Sequence, residues 1–515
     1  MSEPIEGDPE SLPDAPEPDP RDARRQFRQD VATGLTWTLI GTWGRQGIDL
    51  VVFVILARLL SPEDFGLVGL AMVFVLLAQL LVDQGMGDAL VQRREITPLQ
   101  IDTAFWVAVS TGGLLTVALF LLAWPIAALL GEPELQPILQ VLSLTFVLAA
   151  FTSIQIALLR RQLAFRSLSL RALAASAGGG AVGVAAALAG WGVWALVAQQ
   201  VASAIFSVLT LWWVTTWRPS WNASRAEFGG LFRFGIHVVG GDVITYMTRN
   251  VDNLLVGAVM GTATLGFYVV GYRILTATQA VLVQITRKMT FPVFSRLQDE
   301  PERMVRTYNR VTAAAATVIL PGYIAASVVA PELIAVLFGA RWEAESGPVA
   351  RVLLLIGPVV AVQALSIALL NAVGRPDVAF RFRLITTVLT VAGFLLAVQT
   401  GQIVAMAAAY VIPGYLLLPL NLLWMQRYAG IDVRAYLARL RGVAAATVVM
   451  ALVMIGGRYL IGEQRPLVIL VTLLAVAAVS YLGALWLFDR ELLADVLGFA
   501  RRAIPGRRRG SPGVR

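Results

Sequence analysis

The chain has 515 residues, of which 57% are hydrophobic and 14% charged, and its mean hydropathy is +0.72. Soluble domains carry about 25% charged residues. Apolar runs of 18 or more residues recur here, each long enough to cross about 30 Å of hydrocarbon, so a soluble globular class is excluded. The formal charge of +8 comes almost wholly from arginine, Lys288 being the one lysine. There are no cysteines, which excludes disulfides, thiolate nucleophiles and Cys-ligated metals.

Residues 1–28 open the chain with an acidic, proline-rich stretch that cannot bury a core, and they read as a disordered cytoplasmic tail. No basic region followed by a short apolar core marks a signal peptide. About fourteen spans follow. Six fall at roughly 34–57, 67–90, 104–130, 135–159, 170–189 and 192–216. Eight more fall at roughly 231–260, 265–287, 311–338, 348–373, 382–398, 403–426, 440–460 and 466–488.

Basic residues collect in alternate loops, as cytoplasmic loops do. Arg93 and Arg94 follow span two, Arg160, Arg161 and Arg166 follow span four, and Arg218 and Arg225 follow span six. The pattern continues through Arg287, Lys288, Arg375, Arg381, Arg427 and Arg434 to Arg507, Arg508 and Arg509. The other loops carry only Arg58, Arg341 and Arg465. Both termini are therefore expected in the cytoplasm, and the arginine surplus reflects orientation, with no call for nucleic acid. The largest outer loop, around 339–347, has about nine residues. That is too little for the carboxylate-bearing outer loop of a membrane glycosyltransferase or polymerase.

The expected fold is all-α and polytopic, with two parallel six-helix lobes and a C-terminal helix pair. The lobes occupy 29–217 and 231–427, joined by a cytoplasmic linker at 218–230; the extra pair spans 428–490 and a basic tail 491–515. An internal match supports the duplication. Leu59-Leu60-Ser61-Pro62-Glu63-Asp64-Phe65-Gly66 and Val259-Met260-Gly261-Thr262-Ala263-Thr264-Leu265-Gly266 each join a charge-bearing span to the next through a turn closed by glycine. Gln79 and Gln279 match at the same offset of 200 residues. Six spans per half makes the repeats parallel, an architecture that binds substrate between halves and rocks to expose it.

Charges inside the apolar runs concentrate in the first two spans of each half. Span one carries Arg45 and Asp49, span two Asp83, span seven His237, Asp242, Arg249 and Asp252, and span eight Arg273. Each such charge costs roughly 2.5–3.5 kcal/mol at the bilayer centre on insertion scales, so each asks for a role. Arg45 with Asp49 (i, i+4) and Arg249 with Asp252 (i, i+3) read either as structural ion pairs or as cavity groups. Arg273 has no acid at helical spacing, which favours a ligand. Asp83 lies at a span end and also reads as an interfacial cap. His237, the sole histidine, and Asp242 are open to proton or cation coupling. Arginine suits a phosphate because its planar fork donates paired hydrogen bonds and stays charged.

Several segments resemble a known family. Leu56-Ala57-Arg58-Leu59-Leu60-Ser61-Pro62-Glu63-Asp64-Phe65-Gly66 and Gln84-Gly85-Met86-Gly87-Asp88-Ala89-Leu90-Val91-Gln92-Arg93 resemble the first hairpin of polysaccharide-transport (Wzx-type) flippases. These belong to the multidrug/oligosaccharidyl-lipid/polysaccharide exporter superfamily. Asp252-Asn253-Leu254-Leu255-Val256-Gly257, Leu265-Gly266-Phe267-Tyr268, Tyr272-Arg273 and Phe291-Pro292-Val293-Phe294-Ser295-Arg296-Leu297-Gln298 resemble the second-half counterparts. The resemblance covers about residues 25–490. It implies a cavity between two lobes lined by spans one, two, seven and eight, alternating access, and a polyprenyl-diphosphate-linked glycan as substrate. Arg45, Arg249 and Arg273 would then hold phosphate, with Asp49, Asp83, His237, Asp242, Asp252, Gln79 and Gln279 as further polar or coupling groups. No metal, cofactor or covalent chemistry is called for, and coupling to H+ or Na+ is left open. The expected setting is a bacterial plasma membrane, with a monomeric transporter working beside glycosyltransferases and a polymerase. A multidrug/cation antiporter of the same fold and a membrane glycosyltransferase are the rival readings.

Overall fold

A computed structural model describes residues 20–83, 90–91, 95–222, 224, 246, 250–282, 300–363, 365–462 and 464–490. The regular elements among them are all helical. In chain order they are α1 (Pro20–Leu59), α2 (Pro62–Asp83), α3 (Pro98–Leu130), α4 (Leu135–Arg161), α5 (Phe165–Leu188) and α6 (Val193–Val214). A π-helical turn at Val256–Met260 leads into α7 (Thr262–Leu282). Then come α8 (Pro301–Val328), α9 (Ala330–Phe338), α10 (Ala340–Leu354), α11 (Gly357–Gln363), α12 (Ser366–Ala372), α13 (Pro376–Ala397), α14 (Ile403–Leu416) and α15 (Leu418–Ala429). The pair α16 (Val433–Ile461) and α17 (Pro466–Phe488) closes the series.

Among the described residues, twelve helical stretches are long and apolar enough to cross a membrane. Of the two other expected spans, 231–260 falls largely outside the described residues. The other appears as α7, a helix of 21 residues with Arg273 and Gln279 set among its apolar side chains. Three boundaries differ from expectation. α1 already begins at Pro20, where proline at the first helical position supplies a suitable φ and lacks only an N–H that would go unused. The nine-residue loop expected around 339–347 is a helix instead: Gly339 alone, at φ 106°, separates α9 from α10. The stretch from Ala340 to Ala372 is three helices rather than one, and the Val362 carbonyl beside the second break accepts a hydrogen bond from the Tyr436 hydroxyl at 2.9 Å.

Local sequence accounts for several helix starts. Thr97 and Gln100 form a reciprocal cap at the head of α3, which ends on Gly131 in the left-handed region at φ 71°. Ser61 and Asp64 do the same for α2: the Ser61 N–H and hydroxyl donate to Asp64 Oδ2, both at 2.8 Å, and the Asp64 N–H donates to Ser61 Oγ.

The two halves meet where α2 crosses α7. These helices start at Pro62 and Thr262 and cross at their first turns. A Cβ on Gly66 would stand 1.7 Å from the Thr262 carbonyl oxygen, and one on Gly266 1.9 Å from that of Pro62. No side chain fits at either position. The crossing is reciprocal, as a pseudo-twofold relation between the halves requires.

Two further contacts close the same end. The Arg58 guanidinium, at the end of α1, donates from Nε to the Leu337 carbonyl (2.9 Å) and from Nη2 to the Val336 carbonyl of α9. In the opposite sense, Arg341 Nη2 (2.7 Å) and Trp342 Nε1 (2.8 Å) of α10 donate to the Ala57 carbonyl of α1. Beneath them Phe53, Phe65, Phe267, Phe338 and Trp342 pack edge to face at 5.2–5.6 Å between centroids, the geometry aromatic quadrupoles favour.

The pair α16–α17 has its own apolar seam against α8 and α9. It is fastened by the Tyr481 hydroxyl on the Thr317 carbonyl (2.8 Å) and by Arg458 Nε on the buried Glu332 carboxylate of α9 (2.6 Å).

Candidate functional site

The site builds from one face of α1. Arg45, Asp49 and Phe53 follow at i, i+4 and i+8, which stacks them along the helix. Arg45 Nη1 lies 3.3 Å from Asp49 Oδ2, with the two side chains 51% and 33% exposed. The other Asp49 oxygen accepts a short hydrogen bond from the Ser176 hydroxyl of α5. That contact is possible because α1 and α5 pack through small residues: a Cβ on Gly41 would collide with Ser169, and one on Gly44 with Leu173. Asp49 is thus shared between a helix neighbour and a guanidinium. An ion pair this exposed contributes about 1 kcal/mol or less to stability. Among the described residues, Arg45 spends one of its five N–H donors on it.

Arg273, from the middle of α7, completes the group across the interface between halves. Its guanidinium carbon sits 4.9 Å from the centroid of the Phe53 ring. Among the described residues no carboxylate pairs with it, and Asp49 and Arg45 are the charges near enough to act on it. A cation over an aromatic face gains about 0.5–2 kcal/mol and leaves the guanidinium N–H edge unused. The tertiary structure therefore brings together Arg45 and Asp49 of the first half and Arg273 of the second, one carboxylate and two guanidiniums among the described residues.

Other expected site residues divide. Gln79 on α2 and Gln279 on α7 are both half-buried at equivalent positions of the two crossing helices. Asp252 is only 2% exposed. Its Oδ2 accepts from the Tyr268 hydroxyl (2.9 Å) and its Oδ1 from the Asn253 N–H (2.9 Å). It is enclosed in the packing around α7, where the fully buried Tyr268 folds onto it. Asp83 is the last residue of α2, and its side chain lies outside the described residues, as do His237, Asp242 and Arg249.

Two features were missed by reading the sequence. Phe53 looks like one more apolar residue, although its i+4 spacing from Asp49 was a usable signal. Arg171 is the second. It sits half-buried between α5 and α6, with Nη1 on the Ser207 hydroxyl at 3.3 Å and a buried Nε that has no partner.

With this geometry in view, the relatives are informative. Residues 55–347 match the family described as polysaccharide biosynthesis protein. The chain belongs to that family. Within it, the chain is 26% identical over 388 residues to the lipopolysaccharide biosynthesis protein WzxC of Escherichia coli (strain K12), covering 75% of this chain and 79% of that protein. It is also 26% identical over 481 residues to the succinoglycan biosynthesis transport protein ExoT of Rhizobium meliloti (strain 1021), covering 92% of this chain and 96% of that one. Among solved structures, the fold of this family member is similar to the lipid II flippase MurJ in an inward closed conformation. The TM-score is 0.72 at 12% identity, over 88% of this chain and 99% of that chain. An inward-facing multidrug resistance MATE family transporter of the MOP superfamily follows at 0.59 and 15%, over 76% of this chain and 95% of that one. At these identities the likeness to both is one of fold.

Proposed function

We propose that this polysaccharide biosynthesis protein is a flippase that carries a polyprenyl-diphosphate-linked glycan across a bacterial plasma membrane by alternating access. The observation that carries the reading is Arg273. It is a guanidinium deep in an apolar helix, at the contact between halves, with its hydrogen-bonding edge uncommitted among the described residues and Arg45 beside it. A permanently charged group facing lipid is costly, so the exposed side of Arg45 belongs to a wetted cavity. Among the described residues, these two guanidiniums with the one carboxylate of Asp49 leave a net positive charge, which suits a diphosphate and repels a cationic drug.

Orientation follows from the arginine-rich loops. Both termini lie in the cytoplasm, and the end where α1 meets α2 and α9 meets α10 faces outward. Arg45 is thirteen residues before Arg58, about 20 Å along the helix at ~1.5 Å per residue, so the arginines lie well inside the closed outer end. Glycan and diphosphate enter from the cytoplasm while the polyprenyl chain stays in the bilayer. The outer end then opens as the halves rock. No bond is made or broken in the cargo, so the role is transport rather than catalysis. The driving force is assigned to a H+ or Na+ gradient, and the partners to glycosyltransferases and a polymerase acting before and after translocation.

The test is translocation of a fluorescent polyprenyl-diphosphate oligosaccharide in proteoliposomes, with each ion gradient collapsed in turn. Wild-type protein should move the label to the far leaflet, and Arg273→Glu should not. Uptake of cationic dyes in exchange for H+ or Na+, with no movement of the glycolipid, would transfer the assignment to the antiporter reading.

A further inference from the structure

Arg58 and Arg341 are two of the three exceptions to the arginine asymmetry, Arg465 being the third, and both sit beside the tight turns that join helices at the closed end. Each reaches across to the other half and lands on a helix C-terminus. α1 ends at Leu59 and offers the Ala57 carbonyl; α9 ends at Phe338 and offers the carbonyls of Val336 and Leu337. The last four carbonyls of a helix have no partner within it, and the negative end of the helix dipole favours a cation there. Both guanidiniums are at exposed positions, so water is ready to replace these bonds when the halves part. The aromatic cluster below excludes water only while Phe53 and Phe65 of the first half stay against Phe338 and Trp342 of the second.

The geometry points to Arg58 and Arg341 as a reciprocal latch, a pair of positioning residues that sets how often the end carrying them opens. Each half supplies one arginine and one helix C-terminus, so both bonds are lost in the same movement. The latch is released by separation of the halves and re-formed on their return, with no change in covalent structure. Naming this end the exit side rests on the flippase reading; the latch itself does not.

The chain has no cysteine, so spin labels attach only where a cysteine is introduced. Leu59 and Ala344 are exposed and flank the latch from opposite halves. A Leu59→Cys/Ala344→Cys pair in liposomes, with no glycolipid present, reports the separation at this end by pulsed electron resonance. A Leu121→Cys/Leu144→Cys pair, on exposed positions of α3 and α4, reports whether the first half remains folded. In the latch-intact protein the first pair should give one short distance. Arg58→Ala with Arg341→Ala should raise the open-to-closed ratio on the order of tenfold, as expected for losing charge-assisted bonds. Arg58→Lys with Arg341→Lys should recover part of the closed population, because an ammonium still favours a helix C-terminus. The latch is overturned if the Ala pair leaves the first distribution unchanged while the control distance is intact. It is equally overturned if the Lys pair opens the end as far as the Ala pair does. If the Ala pair disturbs the control distance, the single variant Arg341→Ala decides: a partly opened distribution supports the latch, and a single short distance identical to wild type overturns it. Since no cargo is present, failure here leaves the glycolipid reading untouched, and failure of the transport assay leaves the latch standing.

Discussion

Arginine occurs in two settings in this chain, and the contrast separates fastening from binding. At the closed end, Arg58 and Arg341 have their donors on backbone carbonyls at 2.5–2.9 Å. Deeper along α1 and α7, Arg45 lies 3.3 Å from the Asp49 carboxylate, and the Arg273 guanidinium carbon lies 4.9 Å from the centroid of the Phe53 ring. The residue type is the same, but the acceptors differ: backbone carbonyls from the other half at the closed end, and a carboxylate of the same helix for Arg45. Where the other half supplies open carbonyls, arginine ties helices together; among the described residues, Arg45 and Arg273 meet no such carbonyl.

That contrast can be broken by experiment, most strongly at Arg273. Arg273→Glu should lower glycolipid translocation on the order of 100-fold, the equivalent of about 2.7 kcal/mol in bound phosphate contacts, and leave the melting temperature within a few degrees of wild type. A parallel loss of thermal stability would make Arg273 a fastener as well. The closed end should behave in the opposite way. Gly66→Ala forces a Cβ into the Thr262 carbonyl and should cost about 1–3 kcal/mol of stability as an overpacked contact, visible as earlier thermal unfolding in detergent. Unchanged unfolding would mean that the crossing is looser than the close approach of Gly66 and Gly266 implies. Tyr268→Phe removes the hydroxyl from the enclosed Asp252. Leaving that buried acceptor unpaired should lower stability by about 1–2 kcal/mol, with little effect on the apparent affinity for glycolipid. A selective transport defect with normal stability would return Asp252 to the site. The smallest effect is expected at Arg45. Asp49 already offsets its charge, so Arg45→Gln should weaken translocation about tenfold or less, or about 1.4 kcal/mol. A loss equal to that of Arg273→Glu would show the two guanidiniums acting as one clamp.

Much of the architecture was legible because bilayers impose simple rules. Long apolar runs had to be helices, since backbone groups in hydrocarbon must be satisfied within the segment. The 200-residue offset between Gly66 and Gly266 pointed to a repeated hairpin, and in the structure those glycines lie against each other's helix starts. The helix spacing of Arg45 and Asp49 anticipated their ion pair. By contrast, the loop expected at 339–347 was helix down to a single glycine, because the charged residues Arg341, Glu343 and Glu345 masked a helical segment. Asp252 was read either as an ion-pair partner of Arg249, which lies outside the described residues, or as a cavity group; helical spacing did not reveal that it accepts a hydrogen bond from Tyr268, sixteen residues on.

The amino-acid order alone determined that the chain is a helical bundle in a membrane, that its halves repeat, and that charges gather in the leading hairpin of each half. These properties follow from hydropathy, local spacing and the cost of burying charge, all of which act over short stretches of chain. Only the tertiary structure decided which arginine meets a backbone carbonyl of the other half and which meets a carboxylate or a phenyl ring. Arg58 and Leu337 are 279 residues apart, and Arg341 and Ala57 are 284 apart. A backbone carbonyl is present at every residue, so nothing in the sequence marks the few that are left open at a helix end and turned toward a guanidinium from the other half.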